Sequence, residues 1–215
     1  MKIGVFDSGI GGLSVANAIE KALPGDEIVF ASDAAHVPYG TKSPEEILSY
    51  VEPILQKLLE SGCAVIVIAC NTVSTTLIDI LRQRFSIPLV AVEPMVKPAA
   101  AQTKTGVIAV CATPTTLNSP QYARLKSTYA QGVRVLEPDC SDWSLMIENK
   151  AIDTEKVRRQ IEDVISKKAD VIVLGCTHYH WIEQEIKVIA NGQAIVLQPE
   201  QAIIRQLKRV LEQLA

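Results

Sequence analysis

Two segments of this chain are near copies of each other, and each runs from apolar residues into a cysteine. The first half contains Val65-Ile66-Val67-Ile68-Ala69-Cys70-Asn71-Thr72, and the second half contains Val171-Ile172-Val173-Leu174-Gly175-Cys176-Thr177-His178. Short runs rich in Val and Ile are typical of strands that are covered on both faces. Lys2-Ile3-Gly4-Val5 is echoed by Lys104-Thr105-Gly106-Val107. We therefore expect a duplicated unit that delivers a thiol at the same strand end twice.

Strand and helix patterns alternate along almost the whole chain. The predicted strands are residues 2–6, 27–31, 64–69, 88–92, 105–110, 133–136, 170–174 and 194–197. The helical patterns are residues 13–22, 43–61, 73–84, 116–129, 154–168 and 181–190, with a final helix after Pro199. Strands that alternate with helices at this spacing predict parallel α/β sheets. Residues 91–102, with Pro94 and Pro98, are the expected crossing between the halves.

Composition limits the class of protein. The chain has 215 residues, of which 48% are hydrophobic and 21% charged, so it can bury a substantial core. A net charge of -3 gives no reason to expect nucleic acid. The apolar run at 63–70 is too short to span a membrane, and we expect no signal peptide. Five cysteines without a C-x-x-C pair argue against a disulfide framework and favour a reducing cytoplasm.

Small polar and ionisable residues follow the predicted strands. Ligands of parallel α/β sheets bind beyond the carboxyl ends of the strands, where helix N-termini point their N–H groups outward. The residues expected there are Asp7-Ser8-Gly9-Ile10-Gly11-Gly12, Ser32-Asp33, Pro38-Tyr39-Gly40, Cys70-Asn71-Thr72, Thr113, Thr116 and Cys176-Thr177-His178. Such a set suits a polar substrate that carries carboxylates.

The glycine loop after the first strand has a competing interpretation as a dinucleotide fingerprint. A strand precedes it, a helix follows it, and Asp33 ends the next strand. The match fails at Ser14, where the third glycine or alanine belongs, and the Gly-Lys-Ser/Thr of a phosphate loop is absent from it. Asp7, just before this loop, could cap the following helix or orient the thiol of Cys70.

The five cysteines fall into two groups. Cys63, Cys111 and Cys140 fit buried apolar positions. Polar residues directly follow Cys70 and Cys176 at strand-to-helix turns, where a helix N-terminus is expected to lower the thiol pKa and create a usable base. His178 could tune the thiol of Cys176. A zinc site built on Cys176 and His178 and a Cys-His hydrolase are weaker alternatives.

Four motifs together resemble those of the glutamate racemases, which are cofactor-independent members of the aspartate/glutamate racemase superfamily. They are Asp7-Ser8-Gly9-Ile10-Gly11-Gly12, Ser32-Asp33 with Pro38-Tyr39-Gly40, Ala69-Cys70-Asn71-Thr72, and Gly175-Cys176-Thr177-His178-Tyr179. The resemblance runs in order from residue 1 to about 190. The His in Cys-Thr-His favours the glutamate racemases over their aspartate relatives, which usually carry Glu there.

The resemblance implies two pseudo-symmetric α/β domains with the active site between them. The first would comprise residues 1–93 and about 196–215, and the second residues 94–195. Cys70 and Cys176 would each handle the α-proton of one glutamate enantiomer, assisted by Asp7 and His178. The pocket would be lined by Ser8, Pro38, Tyr39, Gly40, Asn71, Thr72, Thr113, Thr116 and Thr177. Asp33 and Glu148 would lie close to it.

The implied activity is cofactor-independent and metal-free supply of D-glutamate for peptidoglycan. We expect glutamate as the ligand, no nucleic acid and no membrane, and the sequence leaves a homodimer open. The chain departs from the family pattern at residues 139–143, at His180-Trp181 and at residues 197–199. Racemisation of a related acidic amino acid such as aspartate, or a non-catalytic binding protein derived from a racemase, therefore remain alternatives.

Overall fold

The computed structural model describes residues 1–214, and eight strands within them form two four-stranded sheets. The strands are β1 (Lys2–Asp7), β2 (Glu27–Ser32), β3 (Val65–Ile68), β4 (Leu89–Ala91), β5 (Val107–Cys111), β6 (Arg134–Leu136), β7 (Val171–Leu174) and β8 (Ile195–Leu197). The first sheet has the order β2-β1-β3-β4 and the second β6-β5-β7-β8. Every pairing is parallel. The prediction of two parallel α/β sheets is confirmed.

Helices follow nearly every strand, as a parallel sheet requires of its crossovers. They are α1 (Leu13–Ala22), α2 (Pro44–Glu60), α3 (Asn71–Arg84), α4 (Val96–Gln102), α5 (Pro114–Leu117), α6 (Pro120–Tyr129), α7 (Trp143–Glu148), α8 (Thr154–Ser166), α9 (Glu183–Ala190) and α10 (Glu200–Leu214). Three short 3-10 turns cover Ile10–Gly12, Tyr39–Thr41 and Thr177–Ile182. None of the helices formed by residues 1–214 has the length and apolar character needed to cross a bilayer.

The repeated sequence segments occupy equivalent places in the two sheets. β3 and β7 are inner strands, and every residue of both is buried. Each pairs with the strand that opens its half, so Val5 lies beside Val67 and Ala109 beside Ile172. Burial on both faces explains why the two segments are apolar throughout rather than alternating.

The last helix crosses back to the first sheet. Ile203, Ile204, Leu207 and Leu211 of α10 are buried with Ile3, Val15, Val65 and other residues of the first half. The preceding strand β8 pairs with β7, which keeps residues 195–197 in the second sheet. The predicted domain boundary at about 196 falls inside this strand. Ala215, which ends the predicted first domain, lies outside the described residues.

The structure differs from the sequence prediction mainly in where helices begin, because each start depends on a capping residue. Ser119 accepts a hydrogen bond from the backbone N of Tyr122, and Pro120 occupies the first helical position, so a new helix begins there. The predicted helix at 116–129 is therefore two helices, α5 and α6. The expected crossing at 91–102 contains the short helix α4, and α7 forms in a segment for which we predicted no element.

Candidate active site

Twelve residues from both halves enclose a small cavity beyond the carboxyl ends of the inner strands. Its volume is about 10 Å³, roughly the space that one water molecule needs. The lining residues are Ser8, Pro38, Tyr39, Gly40, Cys70, Asn71, Thr72, Thr113, Ser144, Cys176, Thr177 and His178. The first half thus supplies one cysteine and the second half the other.

Cys70 lies at the N-cap of α3, directly after β3, and only 5% of it is exposed. Its Sγ donates to Oγ of Ser8 at 3.5 Å. Burial and the nearby charge of Asp7 together raise the pKa of this thiol to about 12, although a hydrogen bond from the backbone N of Val73 opposes the rise. The expectation that the helix N-terminus lowers the thiol pKa is therefore wrong for Cys70, because desolvation is the larger effect.

Asp7 is fully buried at the end of β1 and joins the two halves. Its Oδ2 accepts hydrogen bonds from the backbone N atoms of Gly9 at 3.2 Å and Gly12 at 3.0 Å. Its Oδ1 accepts a bond from Oγ1 of Thr177 at 3.1 Å. Burial raises the pKa of Asp7, and the charge of His178 and these three bonds act against the rise. Asp7 therefore holds the glycine loop and the Thr177 hydroxyl behind the cavity wall, and its orientation of the Cys70 thiol stays a prediction.

The glycine loop packs against the second half of the chain. A Cβ at Gly11 would lie 2.6 Å from the backbone N of His178 and 2.6 Å from Oγ1 of Thr177. No side chain fits at that separation, which explains the glycine without any phosphate ligand. The loop brings the end of β1 against the Thr177–Ile182 turn. This close packing accounts for the glycine at position 11 better than dinucleotide binding does.

Cys176, His178 and Glu148 form a chain of polar contacts. Sγ of Cys176 lies 3.7 Å from Nδ1 of His178, and Nε2 of His178 lies 2.6 Å from Oε1 of Glu148. The backbone N of Ile10 donates to the same Oε1 at 2.8 Å. Burial lowers the pKa of His178, but its bonds with Cys176 and Glu148 raise it by more, to about 10. The bond from His178 lowers the pKa of Glu148. The pair is therefore an imidazolium and a carboxylate at neutral pH.

Threonine hydroxyls cross between the halves on another wall of the cavity. Oγ1 of Thr72 lies 3.0 Å from Oγ1 of Thr113 and 3.3 Å from Oγ1 of Thr116. Thr113 Oγ1 also donates to Thr116 Oγ1 at 3.0 Å. Oγ1 of Thr115 donates to the backbone O of Gly40 at 2.8 Å. These bonds fix the Gly40 and Thr72 segments of the first half against α5 of the second.

Tyr39 is held from behind by a buried carboxylate. Its hydroxyl donates to Oδ2 of Asp33 at 2.7 Å, and burial together with this bond raises the pKa of Tyr39. The other oxygen of Asp33 lies 2.8 Å from Nδ1 of His36, whose ring stacks on Tyr50. Asp33 therefore orients a residue of the cavity wall without lining the cavity itself.

Two side chains of the cavity wall, Asn71 and Ser144, have polar atoms without a hydrogen-bond partner among residues 1–214. In Asn71 these are the amide nitrogen and the amide oxygen, and in Ser144 it is the hydroxyl oxygen. Asn71 is 2% exposed and Ser144 3%. Buried polar groups are normally paired, so unpaired ones in a cavity are places where a ligand can bond.

The structure brings together nearly all of the residues singled out from the sequence. The predicted residues that line the cavity are Ser8, Pro38, Tyr39, Gly40, Cys70, Asn71, Thr72, Thr113, Cys176, Thr177 and His178. Those that lie behind the wall and bond to it are Asp7, Asp33, Thr116 and Glu148. The sequence interpretation missed Ser144, because it lies in an unpredicted helix and follows no strand.

The structure also bears on the other three cysteines and on the idea of a metal site at Cys176. Cys63, Cys111 and Cys140 are free and buried, as predicted. Among residues 1–214, no group of three or more His, Cys, Asp or Glu side chains is arranged to hold a metal ion.

Comparison with known proteins gives consistent similarities over nearly the full chain. The profile of the Asp/Glu/Hydantoin racemase family matches residues 3–207. A glutamate racemase of Herpetosiphon aurantiacus is 40% identical over 213 residues, which cover 97% of this chain and 84% of the relative. One of Pseudomonas aeruginosa is 39% identical over 214 residues, covering 97% and 81%.

Solved structures agree with the sequence relatives. The Escherichia coli glutamate racemase, solved with L-glutamate and the activator UDP-MurNAc-Ala, superimposes with a TM-score of 0.91 at 31% identity, covering 98% of this chain and 82% of that one. The Francisella tularensis glutamate racemase with D-glutamate gives a TM-score of 0.80 at 30% identity, covering 99% and 81%. A Picrophilus torridus aspartate racemase, at 18% identity and a TM-score of 0.64, shares the fold.

Proposed function

Because the chain belongs to the Asp/Glu/Hydantoin racemase family, we propose that it interconverts L-glutamate and D-glutamate, with Cys70 and Cys176 as the two acid–base groups. The observation that carries this proposal is a single cavity lined by one cysteine from each half of the molecule. Two opposed bases suit inversion at the α-carbon, because a single base tends to return the proton to the face from which it came.

The proton balance of the reaction needs one thiolate and one thiol. The thiolate removes the α-proton on one face, and the thiol delivers its own proton to the opposite face of the carbanion. After one turnover the two sulfurs have exchanged protonation states, and nothing has been oxidised or reduced. Each acid–base group of this kind contributes roughly 10²–10⁴-fold to the rate.

Fixed dipoles around the cavity support the carbanion. Cys70 and Asn71 begin α3, whose first N–H groups carry partial positive charge. The unpartnered amide of Asn71 and the hydroxyl of Ser8 add donors that need no reorganisation when charge develops. A cavity of this kind can lower the barrier with groups that the chain itself supplies.

The two thiols receive different assistance. With a pKa of about 12, Cys70 holds its proton in the closed protein and is ready to act as the acid. The α-ammonium group of a bound amino acid would offset the negative charge of Asp7 and ease proton release from Cys70. Cys176 instead has the His178 imidazolium as a neighbouring donor, held in place by Glu148.

The product fits a role in cell-wall synthesis. D-Glutamate made by this reaction would enter peptidoglycan, as the resemblance to the glutamate racemases implies.

The direct test incubates the full chain with L-glutamate in D₂O without added cofactor. We expect the circular dichroism signal to decay to zero and deuterium to appear at the α-carbon. D-Glutamate should give the same end point from the opposite sign, because enantiomers have equal free energies.

The same assay with aspartate separates the alternatives. Racemisation of aspartate with inert glutamate would assign a related racemase instead. Absence of both racemisation and exchange with either amino acid would refute the proposal and favour a binding protein derived from a racemase.

A further inference from the structure

Ser144 combines three properties that are unusual for a serine with only a structural role. It is buried to 3% exposure, it lines the cavity between Cys70 and Cys176, and its hydroxyl has no hydrogen-bond partner among residues 1–214. Leaving a buried hydroxyl unpaired destabilises a folded protein, whereas an alanine of similar shape carries no such penalty. The hydroxyl therefore has no stabilising role in the closed molecule.

Helix α7 fixes the direction of Ser144. Trp143 packs its ring edge-on against Tyr179, with 5.1 Å between ring centroids, and its Nε1 donates to Oε1 of Gln160 at 2.8 Å. Glu148 lies four residues after Ser144, hence on the same side of the helix, and bonds to His178. One side of α7 is therefore locked into the core while the other presents Ser144 and Glu148 to the active site.

The neighbours of Ser144 limit what it can bind. Glu148 is already paired with His178, so it does not compete for a substrate group near Ser144. Asn71 lines the same cavity, and neither of its amide atoms has a hydrogen-bond partner among residues 1–214. A hydroxyl and a carboxamide are donors suited to a carboxylate, and glutamate carries two carboxylates.

We infer that Ser144 is a substrate-binding residue whose hydroxyl donates to a carboxylate oxygen of the bound amino acid. This inference rests on the proposed glutamate racemisation and names a group that contributes to its substrate affinity. Ser144 does not move the α-proton, so its contribution lies in KM more than in kcat.

The test compares Ser144→Ala with the unmodified full chain, using racemisation of glutamate in both directions and thermal unfolding. A hydrogen bond to a charged carboxylate corresponds to roughly a 10- to 100-fold loss of kcat/KM, which we expect to come mainly from a higher KM. The loss of kcat/KM must be equal for L- and D-glutamate, because their equilibrium constant is one. The Tm should stay the same or rise, since an unpartnered buried hydroxyl has been removed.

Ser74 provides the matched control. It is a fully buried serine whose Oγ donates to the backbone O of Ile68 at 2.9 Å and accepts from the backbone N of Val92 at 3.1 Å. Ser74→Ala should therefore lower the Tm and leave the KM for glutamate unchanged, the opposite of the Ser144→Ala pattern.

Two results would overturn the inference while leaving the racemase proposal intact. One is an unchanged KM in Ser144→Ala, and the other is a fall in its Tm like that of Ser74→Ala, which would assign a structural role. Failure of the unmodified chain to racemise glutamate would remove the proposed function and this inference together.

Discussion

Cys70 and Cys176 occupy equivalent strand ends but have unlike neighbours. Cys70 faces the buried charge of Asp7 and donates to Ser8, whereas Cys176 contacts an imidazolium. A duplicated fold therefore presents two differently tuned thiols to one cavity. Such asymmetry suits a reaction whose two directions start from mirror-image substrates inside a chiral pocket.

Replacing each thiol separately tests the assignment of one cysteine to each face. We expect Cys70→Ala and Cys176→Ala each to lower the racemisation rate by at least about 10²-fold, because a general acid–base group is lost. The remaining thiol can still exchange the α-proton of the enantiomer that it faces. Deuterium incorporation with retention, followed by mass spectrometry, should therefore appear with opposite enantiomers in the two variants.

Cys63→Ala is the control for these variants. Cys63 is a buried core residue outside the cavity wall, so its loss should affect stability and leave racemisation in place. Normal racemisation by either Cys70→Ala or Cys176→Ala would disprove the two-thiol mechanism.

The types of the site residues were predictable from sequence, but their ionisation was not. Cys70 does begin a helix, as the pattern predicts, and a helix N-terminus alone favours a thiolate. Its burial and the charge of Asp7 depend on how distant segments pack, and they reverse the direction of the pKa shift. Periodicity and motif spacing report neither effect.

At the level of elements, strands were easier to predict than short helices. All eight strands lie where continuous apolar runs predict them, since buried parallel strands need such runs. The six-residue helix α7 has too few internal hydrogen bonds to be stable alone. It forms because Trp143 packs on Tyr179 and Glu148 pairs with His178, contacts that sequence periodicity does not encode.

The ion pair that joins α7 to the Thr177–Ile182 turn should make stability depend on pH. Folding raises the pKa of His178 from 6.5 to about 10, so its stabilising contribution is complete below pH 6.5 and is lost as pH rises through 10. Folding lowers the pKa of Glu148, whose contribution is present above pH 4.5 and is lost in acid. The difference in unfolding free energy between the unmodified chain and His178→Gln should therefore decline from pH 6.5 to pH 10 in urea titrations.

His180 lies in the same turn and serves as a control, because folding shifts its pKa in the opposite direction. Burial and the charge of His178 lower its pKa to about 4, so its effect on stability changes between pH 4 and 6.5. The difference between the unmodified chain and His180→Gln should be flat from pH 6.5 to pH 10. A flat profile for His178→Gln as well would contradict the ion pair.

At the level of the whole molecule, the sequence does not predict how closely the two halves pack against each other. The duplication itself was predictable, because both copies keep the apolar strand and its cysteine. The resemblance placed the site between the halves, yet nothing in the sequence reports their separation. The cavity of about 10 Å³ is far smaller than an amino acid, so it must widen before a substrate of that size can enter.

The variant Gly40→Ala tests how closely the two halves must meet for catalysis. A Cβ at this position would lie 2.7 Å from Cβ of Thr113, an atom that no rotation of the threonine side chain can move away. In Gly40→Ala the loop must shift away from α5. A displacement of about 1 Å at a catalytic site costs roughly 10²-fold, so kcat/KM for glutamate should fall by about that factor.

Gly25→Ala separates this effect from the general consequences of adding a methyl group at a glycine. Gly25 is exposed, and a Cβ there would meet no atom within 4 Å, so both racemisation and Tm should remain at the level of the unmodified chain. If the halves need to meet closely for catalysis, only the variant at Gly40 loses activity. Gly40→Ala with kcat/KM within 2-fold of the unmodified chain, a change of about 0.4 kcal/mol, would mean that closure tolerates the shift and that the observed contact is not required for catalysis.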